Sequence, residues 1–189
     1  MVLFDRLNTR FEDSAFAKAR LEKFLSGVRP DDRIALYGLS SGLVILHDFS
    51  DSAVALTRAL DDFRPIESRE TTVTTFKEAH TGDPAMDAMI NDTNQRVSDL
   101  YMGRRIASTA AAMVTTANRL AGIPGRKNLV WVSTAFPISI GYFQKRLPGT
   151  RPERNSFDSE VEKAARALSN ANVAIYPVER VIRLGAVLA

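Results

Sequence analysis

Cysteine is absent from the 189-residue sequence, and histidine occurs only twice, at His47 and His80. The lack of cysteine excludes disulfides, thiolate zinc sites and cysteine nucleophiles. Two histidines also exclude a metal centre that takes three histidine ligands from one chain. Any metal bound by this sequence would therefore depend on oxygen ligands, which hard cations such as Mg²⁺ prefer.

The sequence also has no long apolar run and little net charge. No stretch reaches the roughly 18 to 20 apolar residues that span a bilayer. The first residues do not form the basic segment followed by an apolar one that a secretory signal requires. Lys and Arg number 25 against 22 for Asp and Glu, which is a formal net charge of +3. We therefore expect no membrane span and no nucleic-acid partner.

The sequence is rich in alternating strand and helix patterns. Continuous apolar runs at 1–4, 128–132 and 172–178 are typical of strands buried on both faces. The runs at 33–39 and 43–49 are separated by Ser-Ser-Gly, which predicts an antiparallel hairpin. Helical spacing of apolar residues predicts helices over 11–28, 53–63, 102–121 and 157–168. The pattern indicates an α/β fold: a mostly parallel central sheet with helices on both faces.

Two segments interrupt this pattern within what we interpret as one domain over 1–189. Residues 64–99 are polar and rich in threonine, without a sustained apolar period, and we expect a polar insertion with one helical turn at 83–90. Residues 135–155 contain Pro and Gly, which predicts a long loop.

Polar residues directly follow two of the predicted buried strands. Asp5, Asn8 and Thr9 come after the first strand, and Ser133 and Thr134 come after the strand at 128–132. Ligands of parallel α/β sheets bind at the carboxyl ends of the strands, so we expect the functional site here. On its own, the first group is also typical of a hydrogen-bonded turn after a strand.

Five stretches, in their order and spacing, resemble a known family. They are LFDRLNT at 3–9, DRIALY at 32–37, VILHDF at 44–49, GIPGRKNLVW at 122–131 and ANVAIYPV at 171–178. Together they resemble a von Willebrand factor type A-like domain of the kind found in the VWFA-related proteins of Acidobacteria. The PGRKNLVW segment is the most specific of them. The resemblance implies a Rossmann-like, mostly parallel sheet with one antiparallel edge strand.

The resemblance also implies a metal-ion-dependent adhesion site. The family pattern has Asp-x-Ser-x-Ser after the first strand, a distant Thr and an Asp after the fourth strand. Here Asp5 keeps the first acid and Thr9 can replace the second Ser, but Leu7 stands at the first Ser position. Ser133 and Thr134 stand where the later Asp is expected. We therefore expect a degenerate site for Mg²⁺ or Mn²⁺, with Asp5, Thr9, Ser133 and Thr134 as its ligands.

The distant threonine of that site has several candidates in this chain. They are Thr109, Ser108 and the threonines at 71–75. The sequence alone does not choose among them, because each lies far from Asp5 along the chain.

In function, the resemblance implies a non-catalytic module that binds a protein or surface ligand. It also implies that the parent protein is extracytoplasmic. The family fold continues with a helix, a strand and a helix beyond the strand at 172–178, so we expect a truncated carboxyl-terminal part. An apolar sheet edge left without its neighbour would favour a homodimer.

Two alternative functions give Asp5 a different role. The segment from Val2 to Thr9 also resembles the first motif of haloacid dehalogenase-like phosphatases, in which the Asp is the nucleophile. Leu7 then stands in place of the general acid, and no acidic pair follows the strand at 172–178. The other alternative is a scaffold domain that needs no metal.

Other polar features have simpler interpretations. His47 lies in a predicted strand, which indicates a packed or edge position, and Gly-Leu-Ser-Ser-Gly at 38–42 fits a hairpin turn. Arg126 and Lys127 form a basic pair that a solvated face explains. The alternative for this pair is an anionic partner, for which salt-sensitive binding would be the sign.

Overall fold

The computed structural model describes residues 1–29, 31–64, 76, 78–134 and 158–178. Along the chain these residues form β1 Val2–Asp5, α1 Phe11–Leu25, β2 Ile34–Leu39, β3 Leu43–Ser50, α2 Ala53–Asp62, α3 Pro84–Leu120, β4 Lys127–Val132, α4 Asp158–Asn170 and β5 Val173–Val178. The loop predicted at 135–155, the threonines at 71–75 and the chain after 178 lie outside the described residues.

The strands form one five-stranded sheet in the order β3-β2-β1-β4-β5. The strands β1, β2, β4 and β5 run parallel, whereas β3 pairs antiparallel with β2 at the edge of the sheet. The predicted α/β fold with a mostly parallel sheet and one antiparallel edge strand is therefore confirmed. We use the name carboxyl edge for the end of the sheet at which the parallel strands finish, and amino edge for the end at which they begin. Neither name refers to the edge strand β3.

Side chains alternate across the sheet, so each face has its own apolar core. On one face, strands β1, β2 and β4 pack against α1 and α2 through Val2, Phe4, Leu36, Val130, Val132, Leu21, Leu25, Leu56 and Leu60. On the other face, the sheet packs against α3 and α4 through Leu3, Leu7, Tyr37, Trp131, Ala110, Met113, Leu120, Ala164 and Leu168. This alternation also places Asp5, two residues after Leu3, on the face that α3 covers.

The expectation of a single helical turn at 83–90 within the polar insertion over 64–99 is wrong in its extent. Helix α3 begins at Pro84 and continues without interruption to Leu120, over 37 residues. Asp83 caps it, because one oxygen of its side chain accepts the backbone N–H of Ala85 at 2.9 Å. Proline at the first helical position needs no such partner.

The first half of α3 has no helical period of apolar residues, because most of its surface is exposed to solvent. The buried residues of the helix all fall between Gly103 and Leu120, while Met89 is 70% exposed. Contacts along its own surface include the Arg96–Asp92 ion pair at 2.8 Å. Apolar periodicity reports burial of one face, so it does not detect a helix that has no buried face.

None of the described helices is long and apolar enough to cross a membrane.

Candidate functional site

The predicted site residues meet at the carboxyl edge, where β1 and β4 end side by side. Register pairs Phe4 of β1 with Val132 of β4, so the turns that follow these strands are neighbours. Asp5 is the last residue of β1 and is 0% exposed. The backbone N–H of Arg10 donates to the hydroxyl oxygen of Thr134 at 3.2 Å, which joins the two turns.

The Asp5 carboxylate accepts three hydrogen bonds from two residues. The backbone N–H of Asn8 donates to Oδ1 at 2.9 Å, and the side-chain amide of Asn8 donates to Oδ2 at 2.7 Å. The indole Nε1 of Trp131 donates to Oδ2 at 2.9 Å. Three N–H groups directed at one buried carboxylate stabilise its charged form.

Helix α3 contributes a threonine and an arginine to the same network. The side-chain amide of Asn8 also donates to Oγ1 of Thr109 at 2.9 Å, and this hydroxyl donates to the carbonyl of Arg105 at 2.7 Å. Nε of Arg105 donates to the amide oxygen of Asn8 at 3.1 Å. Arg105 and Thr109 are one helical turn apart, and both are buried. We call Asp5, Asn8, Arg105, Thr109 and Trp131 the Asp5 network.

Burial dominates the electrostatics of Asp5. Desolvation raises the pKa of its carboxyl from 3.8 to about 6, and the hydrogen bonds from Asn8 and Trp131 and the charge of Arg105 act in the opposite direction. The Arg105 guanidinium is a buried cation linked to the carboxylate through the Asn8 side chain. The network therefore places a buried cation within reach of the buried carboxylate, and its charge favours the ionised form of Asp5 less than burial opposes it.

Thr9 takes part in the turn that follows β1. Its hydroxyl donates to the backbone carbonyl of Asp5, and the residue is 3% exposed. Together with the Asn8 N–H on Oδ1 of Asp5, this bond closes the turn. The interpretation of Asp5, Asn8 and Thr9 as a hydrogen-bonded turn is therefore confirmed.

We tested whether the predicted ligands Asp5, Thr9, Ser133 and Thr134 fit a divalent cation. Mg²⁺ requires near-octahedral oxygen ligands. Oδ2 of Asp5 already accepts two N–H groups, and the Thr134 oxygen accepts the Arg10 N–H. The donor set does not fit Mg²⁺ or Mn²⁺ as it is arranged, because the carboxylate would first have to release N–H donors. Metal binding by these residues stays a prediction.

Of the two candidates for the distant threonine that the structure describes, Thr109 and Ser108, the fold brings Thr109 to Asp5. The side-chain amide of Asn8 connects them, because it donates both to the Asp5 carboxylate and to the Thr109 hydroxyl. Ser108 is half-buried on the preceding position of α3. Leu7, at the position of the first expected serine, is 1% exposed and belongs to the apolar core under α3 and α4.

The sequence did not identify Arg105 and Trp131 as site residues. Trp131 is the sole tryptophan and stands inside a strand, where an apolar interpretation was sufficient. Arg105 carries one usable signal, because it lies one turn before Thr109 on the buried stripe of α3. A buried arginine usually has a polar partner, so its position on that stripe indicates one.

Within the part of the chain that the structure describes, residues that could support hydrolase chemistry do not assemble into a site. Gly38 to Gly42 has the Gly-x-Ser-x-Gly spacing of a hydrolase nucleophile, but Ser40 lies between the antiparallel strands β2 and β3. The nucleophile elbow connects a strand to a helix. His47 lies in the edge strand β3, as expected, and its Nδ1 is 2.7 Å from the carbonyl of the adjacent Asp48.

No protein-family model, no curated protein and no solved structure matches the chain. The fold is therefore established by the structure, while the resemblance to von Willebrand A-like domains stays a prediction carried by the quoted segments.

Proposed function

We propose that the chain is a non-catalytic interaction module of the von Willebrand A type, which binds a protein or surface ligand at its carboxyl edge. The observation that carries this proposal is the state of Asp5. Its carboxylate is 0% exposed and accepts three N–H groups from Asn8 and Trp131. Asp5 thus acts as an anchor that joins the turn after β1 to β4.

The same contacts argue against the phosphatase alternative. An aspartate nucleophile needs an oxygen that can reach substrate phosphorus, whereas both oxygens of Asp5 face protein donors. Leu7 lies at the position of the general acid and is packed in the core. The proposed module therefore carries out no reaction at this edge.

Ligand contacts in this proposal come from the surface above the network. Arg10, Ser41 and Gly42 are exposed at the carboxyl edge, in the turn after β1 and in the β2–β3 hairpin. Loops supported by rigid strands are common binding elements. A degenerate metal site at Asp5 and Thr9 would contribute little to ligand binding. The Asp5 network already contains a positive charge, the guanidinium of Arg105, near the carboxylate.

Site-specific photo-cross-linking tests this proposal. A photoreactive amino acid at Ser41 reports on the carboxyl edge, and the matched control carries it at Gly122, which is exposed in the α3–β4 turn at the amino edge. With an extract of the source cells, we expect cross-links at Ser41 that unlabelled chain competes away, and far fewer at Gly122. Equal labelling at both edges would contradict a binding site at the carboxyl edge.

An activity measurement addresses the enzyme alternative directly. The chain is expected to leave a generic aryl phosphate unhydrolysed in the presence of Mg²⁺. Hydrolysis by the chain that is lost in Asp5→Asn would support the phosphatase and contradict the proposal. Homodimerisation and an extracytoplasmic parent protein stay separate predictions.

A further inference from the structure

A second concave site lies at the amino edge, at the opposite end of the sheet from the Asp5 network. It is a cavity of about 270 Å³. Its lining comes from the first residues of β1, β2 and β4, the end of β3 and the turn between α3 and β4. This volume is at the lower end of the range for small-molecule sites, so it suits a ligand of about ten non-hydrogen atoms.

The inner wall of the cavity is apolar. Val2, Ile34 and Val130 are buried strand residues, and Phe49 and Ile123 are half-buried at the mouth. The accessible part of this apolar lining is the half-buried Phe49 and Ile123, so a ligand with an apolar part would gain free energy by covering them.

The mouth of the cavity carries a surplus of positive charge. Arg33, Arg126 and Lys127 line it, with Asp32 as the one acidic side chain of the described lining. Asp32 is already engaged by Arg29, whose backbone N–H and Nε donate to its carboxylate at 3.0 and 3.4 Å. Its negative charge therefore does little to offset the three basic residues.

The basic groups are partly oriented and keep N–H groups to donate. Nζ of Lys127 donates to the carbonyl of Ile123 at 2.6 Å, and a guanidinium nitrogen of Arg126 donates to the Tyr176 hydroxyl at 3.3 Å. An ammonium has three donors and a guanidinium five, so both have N–H groups left over. Arg33 is exposed and forms no ion pair with any residue that the structure describes.

We propose that this cavity binds a small amphipathic organic anion, a carboxylate with a short apolar body. The carboxylate lies at Arg33, Arg126 and Lys127, and the apolar body lies against Val2 and Ile34. Charge-assisted hydrogen bonds select the anion over a neutral analogue, and the apolar wall selects it over an inorganic anion. The proposal is independent of the function assigned to the carboxyl edge.

Titration with octanoate tests the ligand class, with octan-1-ol and octylammonium as probes of the same chain length. Backbone ¹H–¹⁵N spectra of the full chain report the site of binding. We expect octanoate to bind at millimolar concentration or below, roughly tenfold more tightly than octan-1-ol, with resonance shifts centred on Val2, Ile34 and Lys127. Octylammonium is expected not to bind there.

A double variant tests the basic mouth. Arg33→Gln with Arg126→Gln is expected to weaken octanoate binding at least about tenfold. The affinity for octan-1-ol is expected to stay the same. The control, Arg58→Gln with Arg104→Gln, removes the same charge from exposed positions outside the cavity. It is expected to bind octanoate as the original chain does. Thermal unfolding of each variant confirms that it is folded.

Four results would overturn the proposal. They are no octanoate binding at millimolar concentration, shifts centred away from the amino edge, octan-1-ol affinity equal to that of octanoate, and equal octanoate affinity in the two double variants. The last two would show that the basic residues do not recognise the anion.

Discussion

Asp5 and Asp32 are the same residue type at opposite edges of one sheet. Each carboxylate accepts a backbone N–H three residues away, from Asn8 at 2.9 Å and from Arg29 at 3.0 Å. Yet the pKa of Asp5 is raised to about 6, chiefly by burial, whereas the hydrogen bonds from Arg29 lower the pKa of Asp32. The backbone donor follows Asp5 in the chain and precedes Asp32, but both carboxylates accept one, so the difference in burial decides the sign of the pKa shift.

The same contrast extends to what each edge can do. At the carboxyl edge, polar side chains are directed inward, and the Asp5 network joins β1, β4 and α3. At the amino edge, basic side chains surround an open cavity. The first arrangement fixes the turns beneath the proposed binding surface of the carboxyl edge, and the second leaves basic groups at the mouth of a cavity.

Removal of each carboxylate should separate the two edges most clearly. Asp5→Ala removes the buried carboxylate that accepts the N–H groups of Asn8 and the indole N–H of Trp131. We expect it to lower the free energy of unfolding by about 3–5 kcal/mol. Asp32→Ala, the matched control at an exposed site, is expected to cost far less. Urea unfolding measures both, and equal losses would contradict the contrast.

The pH dependence should have opposite signs at the two residues. Because the folded pKa of Asp5 is about 6 and its ordinary value is 3.8, the folded state binds the proton more tightly. This contribution to stability is fully present below pH 3.8 and is lost as the pH rises through about 6. The total loss is about 3 kcal/mol. For Asp32, whose folded pKa is lowered, stability is present above pH 3.8 and is lost as the pH falls.

Carboxyl-carbon NMR titrations check these signs residue by residue. We expect a midpoint near pH 6 for Asp5 and one below 3.8 for Asp32. A normal midpoint for Asp5 would mean that water reaches its carboxylate, and the interpretation of Asp5 as a buried anchor would then be wrong.

Two threonines of α3 allow a matched test of the network itself. Thr109 and Thr116 are both 0% exposed, but only the Thr109 hydroxyl bonds Asn8, and the Thr116 hydroxyl has no hydrogen-bond partner among the described residues. Thr109→Val is expected to cost about 1–3 kcal/mol, since it removes the acceptor of a buried Asn8 amide N–H and a donor to the Arg105 carbonyl. Thr116→Val should be neutral or stabilising. Similar urea midpoints for the two variants would show that the Thr109 bonds contribute nothing.

The smallest effect is expected from metal ions. Millimolar Mg²⁺ or Mn²⁺ should raise the unfolding temperature little or not at all, because the Asp5 carboxylate already accepts three N–H groups. Differential scanning calorimetry with and without the metal measures this. A rise of several degrees that is lost in Asp5→Ala would show a functional metal site at the carboxyl edge.

The positions of the strands could be predicted well from the sequence, but the expected burial on both faces is wrong for β5, in which only Val173 and Val178 are buried. Continuous apolar runs marked β1, β4 and β5, and the Ser-Ser-Gly turn marked the antiparallel pair β2 and β3. These signals are local and need no knowledge of the partner strand. The first half of α3 was missed, because helicity without burial leaves no apolar period.

The candidate site could be predicted only in part. Asp5, Asn8 and Thr9 form the expected turn, because Asx-type hydrogen bonds depend on residues that are close in sequence. Arg105 lies 97 residues from its partner Asn8, and Trp131 lies 126 residues from Asp5. No local pattern indicates contacts of this range, since they depend on how the helix is laid across the sheet.

Local patterns in the amino-acid sequence were sufficient to predict the α/β fold and the turn that follows β1. The lack of cysteine also excluded thiolate ligands and cysteine nucleophiles. Tertiary structure alone decided that the Asp5 carboxylate faces Trp131 and the Arg105–Asn8 pair instead of solvent, and that Arg33, Arg126 and Lys127 share one cavity. The physical reason is that hydrogen bonds within a turn follow from neighbouring residues. Burial and long-range charge placement, in contrast, depend on which elements the fold brings together.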